Sequence, residues 1–259
     1  MDTQTLALIA MAIGPAIAIM IYFYAKDKHE REPFGILLVS FLWGCFSVVP
    51  AIILESILPG IIPGSGGSSV ISVAIYTFVV IAFSEELSKF IFLRYYSYKK
   101  RSFNEPFDGI IYAVMVGMGF ATVENLLYVF DSDTLGSAWS TAGLRALTAI
   151  PAHATFAAIM GYYVGLAKFS KTNEKGYLLQ GLLLATVLHG FYDFFLFQNL
   201  HVGLYIGAAI SLILGIRYSM RAIKMHNAIS PFNEENKVVE PEEIIVTSYE
   251  SPFKPTSDK

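Results

Sequence analysis

The stretch Val70-Ile-Ser-Val-Ala-Ile-Tyr-Thr-Phe-Val-Val-Ile-Ala-Phe-Ser-Glu85-Glu86-Leu-Ser-Lys89-Phe-Ile-Phe-Leu93 decides how this chain is read. As a helix rising ~1.5 Å per residue it is long enough to cross a ~30 Å hydrocarbon core. Its apolar run nevertheless holds two adjacent glutamates and a lysine. An ionisable group at membrane depth costs roughly 2.5–3.5 kcal/mol on insertion scales and is by default a candidate for function. The length therefore points to a membrane span, and the charges show where in it to look for chemistry.

Working outward, the rest of the chain agrees with a membrane reading. Of 259 residues, 54% are hydrophobic and 15% charged, against about 25% charged in a typical soluble domain. The predicted fold is an all-α, polytopic transmembrane helix bundle of about seven spans, near 3–24, 34–58, 70–93, 107–130, 141–167, 177–198 and 202–222. The loop from Pro59 to Ser69 is a Gly/Pro/Ser-rich turn. Residues 1–225 form the expected transmembrane domain. Residues 226–259 turn polar and acidic, as expected of a disordered cytoplasmic tail. Asp2 is the only early charge and Lys26 follows the first apolar run, so that run reads as a retained helix rather than a signal peptide. The single cysteine, Cys45, excludes an internal disulfide and a Cys-rich metal cluster. No basic face exists to bind nucleic acid.

Sixteen of the 18 basic residues follow spans one, three, five and seven, all on one side of the bundle. By the positive-inside rule the N-terminus then faces outside and the C-terminus the cytoplasm. The two remaining basic residues, Lys89 and Arg145, lie inside predicted spans.

The intramembrane polar residues form a pattern. Glu85 and Glu86 stand four and three positions before Lys89, so both carboxylates can approach one ammonium on a helix. A helix-packing ion pair is the plainer reading, but one lysine neutralises only one acid. The other must keep a proton or find a partner, and a carboxyl held at the edge of ionisation suits general-base work at neutral pH. Span four carries Gly117 and Gly119, which allow close helix approach, then Phe120 and Glu124, four apart; Glu124 could also be a simple interfacial acid. Span five carries Arg145, which either reaches the interface or pairs with an acid, and then Pro151-Ala-His153-Ala-Thr-Phe156. Pro151 is expected to bend this helix, with His153 near mid-membrane. In span six His189 and Asp193 are four apart, and an Asp aimed at a His fixes its tautomer. If Glu85, Glu86, Glu124 and Asp193 were all ionised, Lys89 alone would leave three negative charges unbalanced. Retained protons, protonated histidines or a bound metal would each resolve this.

Glu-Glu-x-x-Lys at 85–89, Phe-x-x-x-Glu at 120–124 and His-x-x-x-Asp at 189–193, in this order on successive helices, resemble the PrsW family of intramembrane proteases. Pro151-x-His153-x-x-Phe156 and the Asp27-Lys-His-Glu-Arg-Glu32-Pro33 loop add to the match, which runs from the first loop to about residue 222. The family is related to the CAAX-prenyl endopeptidase superfamily and, more distantly, to a scaffold subunit of gamma-secretase. The resemblance implies a glutamic-type endopeptidase in a bacterial plasma membrane. It would cleave membrane-anchored proteins, as when a sigma factor is released from its anti-sigma factor. It implies that Glu85 or Glu86 activates water, that His189 positions water or stabilises the oxyanion with Asp193 orienting it, and that His153 sits beside it. Glu124 stands where the wider superfamily often has histidine.

Lys89 completes the candidate catalytic set of Glu85, Glu86, Glu124, His153, His189 and Asp193. No cofactor is expected on the glutamate reading; a zinc alternative would use Glu85, His153 and His189 as ligands. There is no His-Glu-x-x-His motif and no second intramembrane Asp for an aspartyl dyad. A non-catalytic scaffold or sensor is the competing class, although a scaffold has little reason to hold two adjacent acids in lipid. A proton-coupled transporter is a third, and no repeated halves support it. The expected partners are a membrane-anchored protein substrate and the bilayer.

Overall fold

The computed structural model describes residues 2–198 and 202–236. Seven helical stretches are long and apolar enough to cross a membrane, and no strand occurs among the described residues. The helices are α1 (Thr3–Lys26), α2 (Phe34–Ile61), α3 (Val70–Ile75), α4 (Phe83–Tyr95), α5 (Pro106–Phe130), α6 (Leu135–Leu147), α7 (Ala149–Phe169), α8 (Glu174–Phe197) and α9 (Tyr205–Ala228). A π-helical segment, Tyr76–Ala82, joins α3 to α4 within the third span, and α6 and α7 together form the fifth. The expected polar tail falls mostly on residues 237–259, outside the described residues. Within them, α9 continues past residue 225 to Ala228, and a short 3-10 turn covers Glu234–Asn236.

Helix α5 is the axis of the bundle, packed on α2 on one side and α7 on the other. Small residues make this possible. A Cβ added at Gly119 would strike the Phe41 carbonyl of α2, and one at Gly161 of α7 would strike the Gly109 carbonyl of α5. Only residues without a side chain let these backbones approach so closely, which substitutes for the hydrophobic driving force that lipid removes. Gly117 meets Ala157 of α7, so the two glycines singled out in span four contact two different helices. Lipid-facing surfaces are apolar instead. On α2, Phe46, Val49, Ile53 and Ile57 form one exposed stripe at helical spacing.

Two local departures from regular helix set the site. The third span is not one uniform α-helix. The π segment ends directly before Phe83-Ser84-Glu85-Glu86, and such widened turns frequently mark functional positions. The fifth span breaks at Thr148 (φ −125°, ψ −68°) rather than bending at Pro151. Pro151 lies in the first turn of α7, where its missing N–H has no intrahelical acceptor to lose. The proline therefore helps to start a second helix, and the break above it frees α6 to tilt Arg145 toward α5.

The end of the bundle that carries the basic loops also buries acids. Glu-Pro-Phe opens both α2 (Glu32-Pro33-Phe34) and α5 (Glu105-Pro106-Phe107). Asp108 Oδ2 accepts the backbone N–H groups of Asn104 (2.7 Å) and Glu105 (2.8 Å), closing the N-terminus of α5. Glu32 accepts from the Tyr112 hydroxyl, and its own N–H donates to Asp27 Oδ2 at 3.3 Å. Burial pushes the Asp27 carboxyl up to about 6, and the Glu32 and Glu105 carboxyls up to about 7. These folded-state values exceed those of the unfolded chain, so the native state holds more protons than the unfolded state between about pH 4 and about pH 7. The stability from these groups is fully present below about pH 4 and is lost as pH rises toward about 7. Thermal unfolding in detergent across this range checks the point. The stability of wild type relative to Glu105→Gln should fall as pH rises, and a constant or rising difference contradicts it.

Candidate active site

Five helices bring the intramembrane polar residues to one place. Helix α4 presents Glu85, Glu86 and Lys89 on its first two turns. Lys89 Nζ lies 3.1 Å from Glu85 Oε2, 2.8 Å from Glu86 Oε1 and 3.2 Å from His153 Nδ1 of α7. It also stands 4.0 Å above the ring of Phe120 from α5, so an aromatic face closes the remaining side of the ammonium. The single lysine thus meets both glutamates at once, as their spacing allows.

Glu124 of α5 is not a free interfacial acid. Its Oε2 accepts from Arg145 Nη2 at 2.7 Å and faces His153 Nε2 at 2.8 Å. Arg145 Nε donates to Asn125 Oδ1 at 2.8 Å, and Asn125 Nδ2 donates to the Ala12 carbonyl of α1 at 2.8 Å. Arg145 therefore pairs with an acid, the second of the two outcomes that its position allowed. His153 bridges the two ion pairs, one ring nitrogen toward Lys89 and the other toward Glu124.

His189 of α8 occupies the opposite wall. Its Nδ1 is 2.9 Å from Glu86 Oε1, and its Nε2 is 3.2 Å from Asp193 Oδ2 and 4.0 Å from Glu85 Oε2. Phe156, one turn after His153, stacks on the His189 ring at 4.8 Å and 18°. The two histidine rings are 5.2 Å apart. All seven residues of the expected set are thus in one connected cluster, and Asp193 is placed to orient His189.

The two glutamates differ in setting. Glu86 is 1% exposed and enclosed by Lys89 and His189. Glu85 lines a cavity of about 280 Å³ together with Glu124, Arg145, His153, His189 and Asp193. Leu196 and Phe197, at the end of α8 away from the basic loops, line it too, so the cavity lies toward that end of the bundle.

Similarity to known proteins extends over most of the chain. A family profile described as PrsW family intramembrane metalloprotease matches residues 32–216. The chain belongs to the PrsW family. It is 37% identical over 201 residues to Protease PrsW of Geobacillus kaustophilus (strain HTA426), spanning 78% of this chain and 84% of the relative. It is 37% identical over 191 residues to Protease PrsW of Bacillus subtilis (strain 168), spanning 73% and 83%. It is 39% identical over 193 residues to Protease PrsW of Clostridioides difficile (strain 630), spanning 74% and 79%. No solved structure matches. PrsW membership and the seven apolar helices make this a multi-pass membrane protein and support a protease function.

The PrsW family description includes a metal, and the site holds donors of the right type. Glu85, Glu86, His153 and His189 each offer one ligand atom, all within 4.8 Å of one another. Two carboxylates and two imidazoles suit a divalent ion by type. Lys89 Nζ, however, stands within hydrogen-bond distance of Glu85, Glu86 and His153. An ion held by these residues would displace it.

Three further residues contribute to the site or its border. Asn125 follows Glu124 directly but looked like an ordinary helix residue. Phe120 shows in the sequence only its spacing to Glu124, and the structure makes it the floor beneath Lys89. Glu55 of α2, an acid within a predicted span, is a signal in the sequence; it lies beside the cluster.

The Arg145–Glu124 pair yields a stability prediction. The two side chains are 15% and 17% exposed. Removing one partner of a buried pair costs roughly 3–5 kcal/mol, and this partial exposure places Arg145→Met near the lower end, about 3 kcal/mol. Unfolding in detergent should show the double variant Glu124→Gln/Arg145→Met to be more stable than Arg145→Met alone. Strict additivity of the two changes would contradict the pairing.

Proposed function

We propose that this chain is an intramembrane endopeptidase in which Glu85 activates the water that hydrolyses a peptide bond of a membrane-anchored protein. The observation that carries the reading is that Glu85, alone of the two adjacent glutamates, borders the cavity while its carboxylate is held by Lys89. In the proposed reaction Glu85 takes a proton from water as the water oxygen bonds to the substrate carbonyl carbon. The resulting oxyanion is stabilised by His189, whose Nε2 turns its hydrogen bond from Asp193 to the oxyanion while Glu86 holds Nδ1. Glu85 then returns the proton to the leaving nitrogen as the C–N bond breaks, giving a carboxylic acid and an amine; the acid then passes its proton to the amine or to water. Lys89 and Arg145 offset the negative charge that Glu85, Glu86 and Glu124 concentrate at membrane depth.

The basic loops support an orientation with the N-terminus outside and the C-terminus in the cytoplasm. The cavity then opens toward the outer half of a bacterial plasma membrane. A regulator such as an anti-sigma factor, cut near its outer juxtamembrane segment, fits that placement and the family resemblance.

A second reading rests on the four donors gathered within 4.8 Å and on the family description. In it Glu85, Glu86, His153 and His189 would hold a divalent metal ion. When bound, such an ion supplies Lewis-acid polarisation of a carbonyl and a more acidic water.

Cleavage of a membrane-anchored reporter by the purified protein in detergent or liposomes tests the glutamate assignment. Glu85→Gln should lower the rate by about 100-fold or more, the scale of a lost general base, while its thermal unfolding stays cooperative. Full activity in Glu85→Gln would overturn it.

A further inference from the structure

A second cavity, of about 230 Å³, adjoins the first, and nothing above uses it. It lies between α2, the π-helical segment and α5, and it shares Ile81, Glu85, Glu124, Tyr128 and Phe197 with the first cavity. The two spaces therefore border each other along a wall that includes Glu85 and Glu124. A peptide bond placed at Glu85 would send one flanking residue into each.

The walls of the second cavity have a definite chemistry. Val48, Ala51 and Ile52 of α2 supply apolar surface, and Glu55, one turn further along the same helix, supplies a half-buried carboxylate. Three acids face this space. Glu85 is held by Lys89, and Glu124 by Arg145 and His153. Glu55 has no hydrogen-bonding partner among the described residues. An acid at membrane depth is costly and rarely kept without a counter-charge. An apolar wall ending in a carboxylate complements a long aliphatic stem with a cationic head, the same device that gives acid-bottomed protease pockets their preference for basic side chains.

The geometry points to Glu55 as a specificity residue that receives a lysine or arginine side chain of the substrate next to the scissile bond. This deepens the protease reading and rests on it. Glu55 acts on which bond is cut, by pairing with substrate, and takes no part in proton transfer.

The test uses the full-length protein in liposomes and a membrane-anchored reporter. A single lysine is scanned through three residues on either side of the scissile bond, with methionine and glutamate at the same positions as controls. Wild type should cleave one lysine register with kcat/KM at least about tenfold above its methionine counterpart, the equivalent of about 1.4 kcal/mol. Glu55→Gln should collapse that lysine-to-methionine ratio toward one, and Glu55→Lys should invert it in favour of glutamate. Because the readout is a ratio within each variant, a general loss of activity does not imitate the result. An unchanged ratio in both variants, or no lysine preference in wild type, overturns the proposal while leaving the protease reading intact. Failure of folded wild type to cleave any reporter overturns the protease reading, and the subsite with it.

Discussion

One ammonium inside the membrane organises this molecule. Lys89 lies within 3.2 Å of two carboxylates and an imidazole and above an aromatic ring. Without it, Glu85 and Glu86 would place two adjacent negative charges in a medium that solvates neither. The remaining polar residues extend from this point in two directions. One runs through His153 to Glu124, Arg145 and Asn125, ending on the backbone of α1. The other runs through Glu86 to His189 and Asp193. Every helix from α4 to α8 contributes a member, so the network is also a clamp on the bundle. Polar contacts of this kind fix which helices are neighbours in a solvent where apolar surface does not.

The scaffold meets that requirement by close backbone approach. Glycines at the α5–α2 and α5–α7 crossings bring these three helices close together, and α4 packs on α2 and α5, so that side chains of α4, α5 and α7 converge. The irregular stretches sit where convergence is hardest. The π segment precedes Glu85. The break at Thr148 separates the helix that delivers Arg145 from the helix that delivers His153. A straight fifth span would hold both residues in fixed relation on one cylinder; the broken one lets each reach Glu124 from its own direction.

Much of this was legible in the chain. Apolar length fixes the seven spans, because the bilayer imposes a nearly constant thickness. Intramembrane charge picks out Glu85, Glu86, Lys89, Glu124 and Asp193, since lipid makes every such group conspicuous. Spacing along one helix correctly pairs Lys89 with both glutamates and His189 with Asp193. What spacing could not supply was contact between helices. That Arg145 serves Glu124, that Phe120 underlies Lys89 and that Phe156 covers His189 depend on crossing geometry, which no single-helix periodicity encodes. The helix breaks at Thr148 rather than at Pro151 for a related reason: proline bends a helix interior but is at home in a first turn, and which applies depends on where the helix begins. Glu55 is hard to read from spacing because it has no partner on its own helix to announce it.

On the proposed mechanism Lys89, rather than a metal ion, is the cation gathered by Glu85, Glu86 and His153. The most direct test is cleavage of a membrane-anchored substrate by protein stripped with chelator, with residual metal quantified by mass spectrometry on the same sample. The account predicts that metal-free protein cleaves at an undiminished rate. Loss of cleavage in step with metal removal, restored by adding zinc, would contradict it.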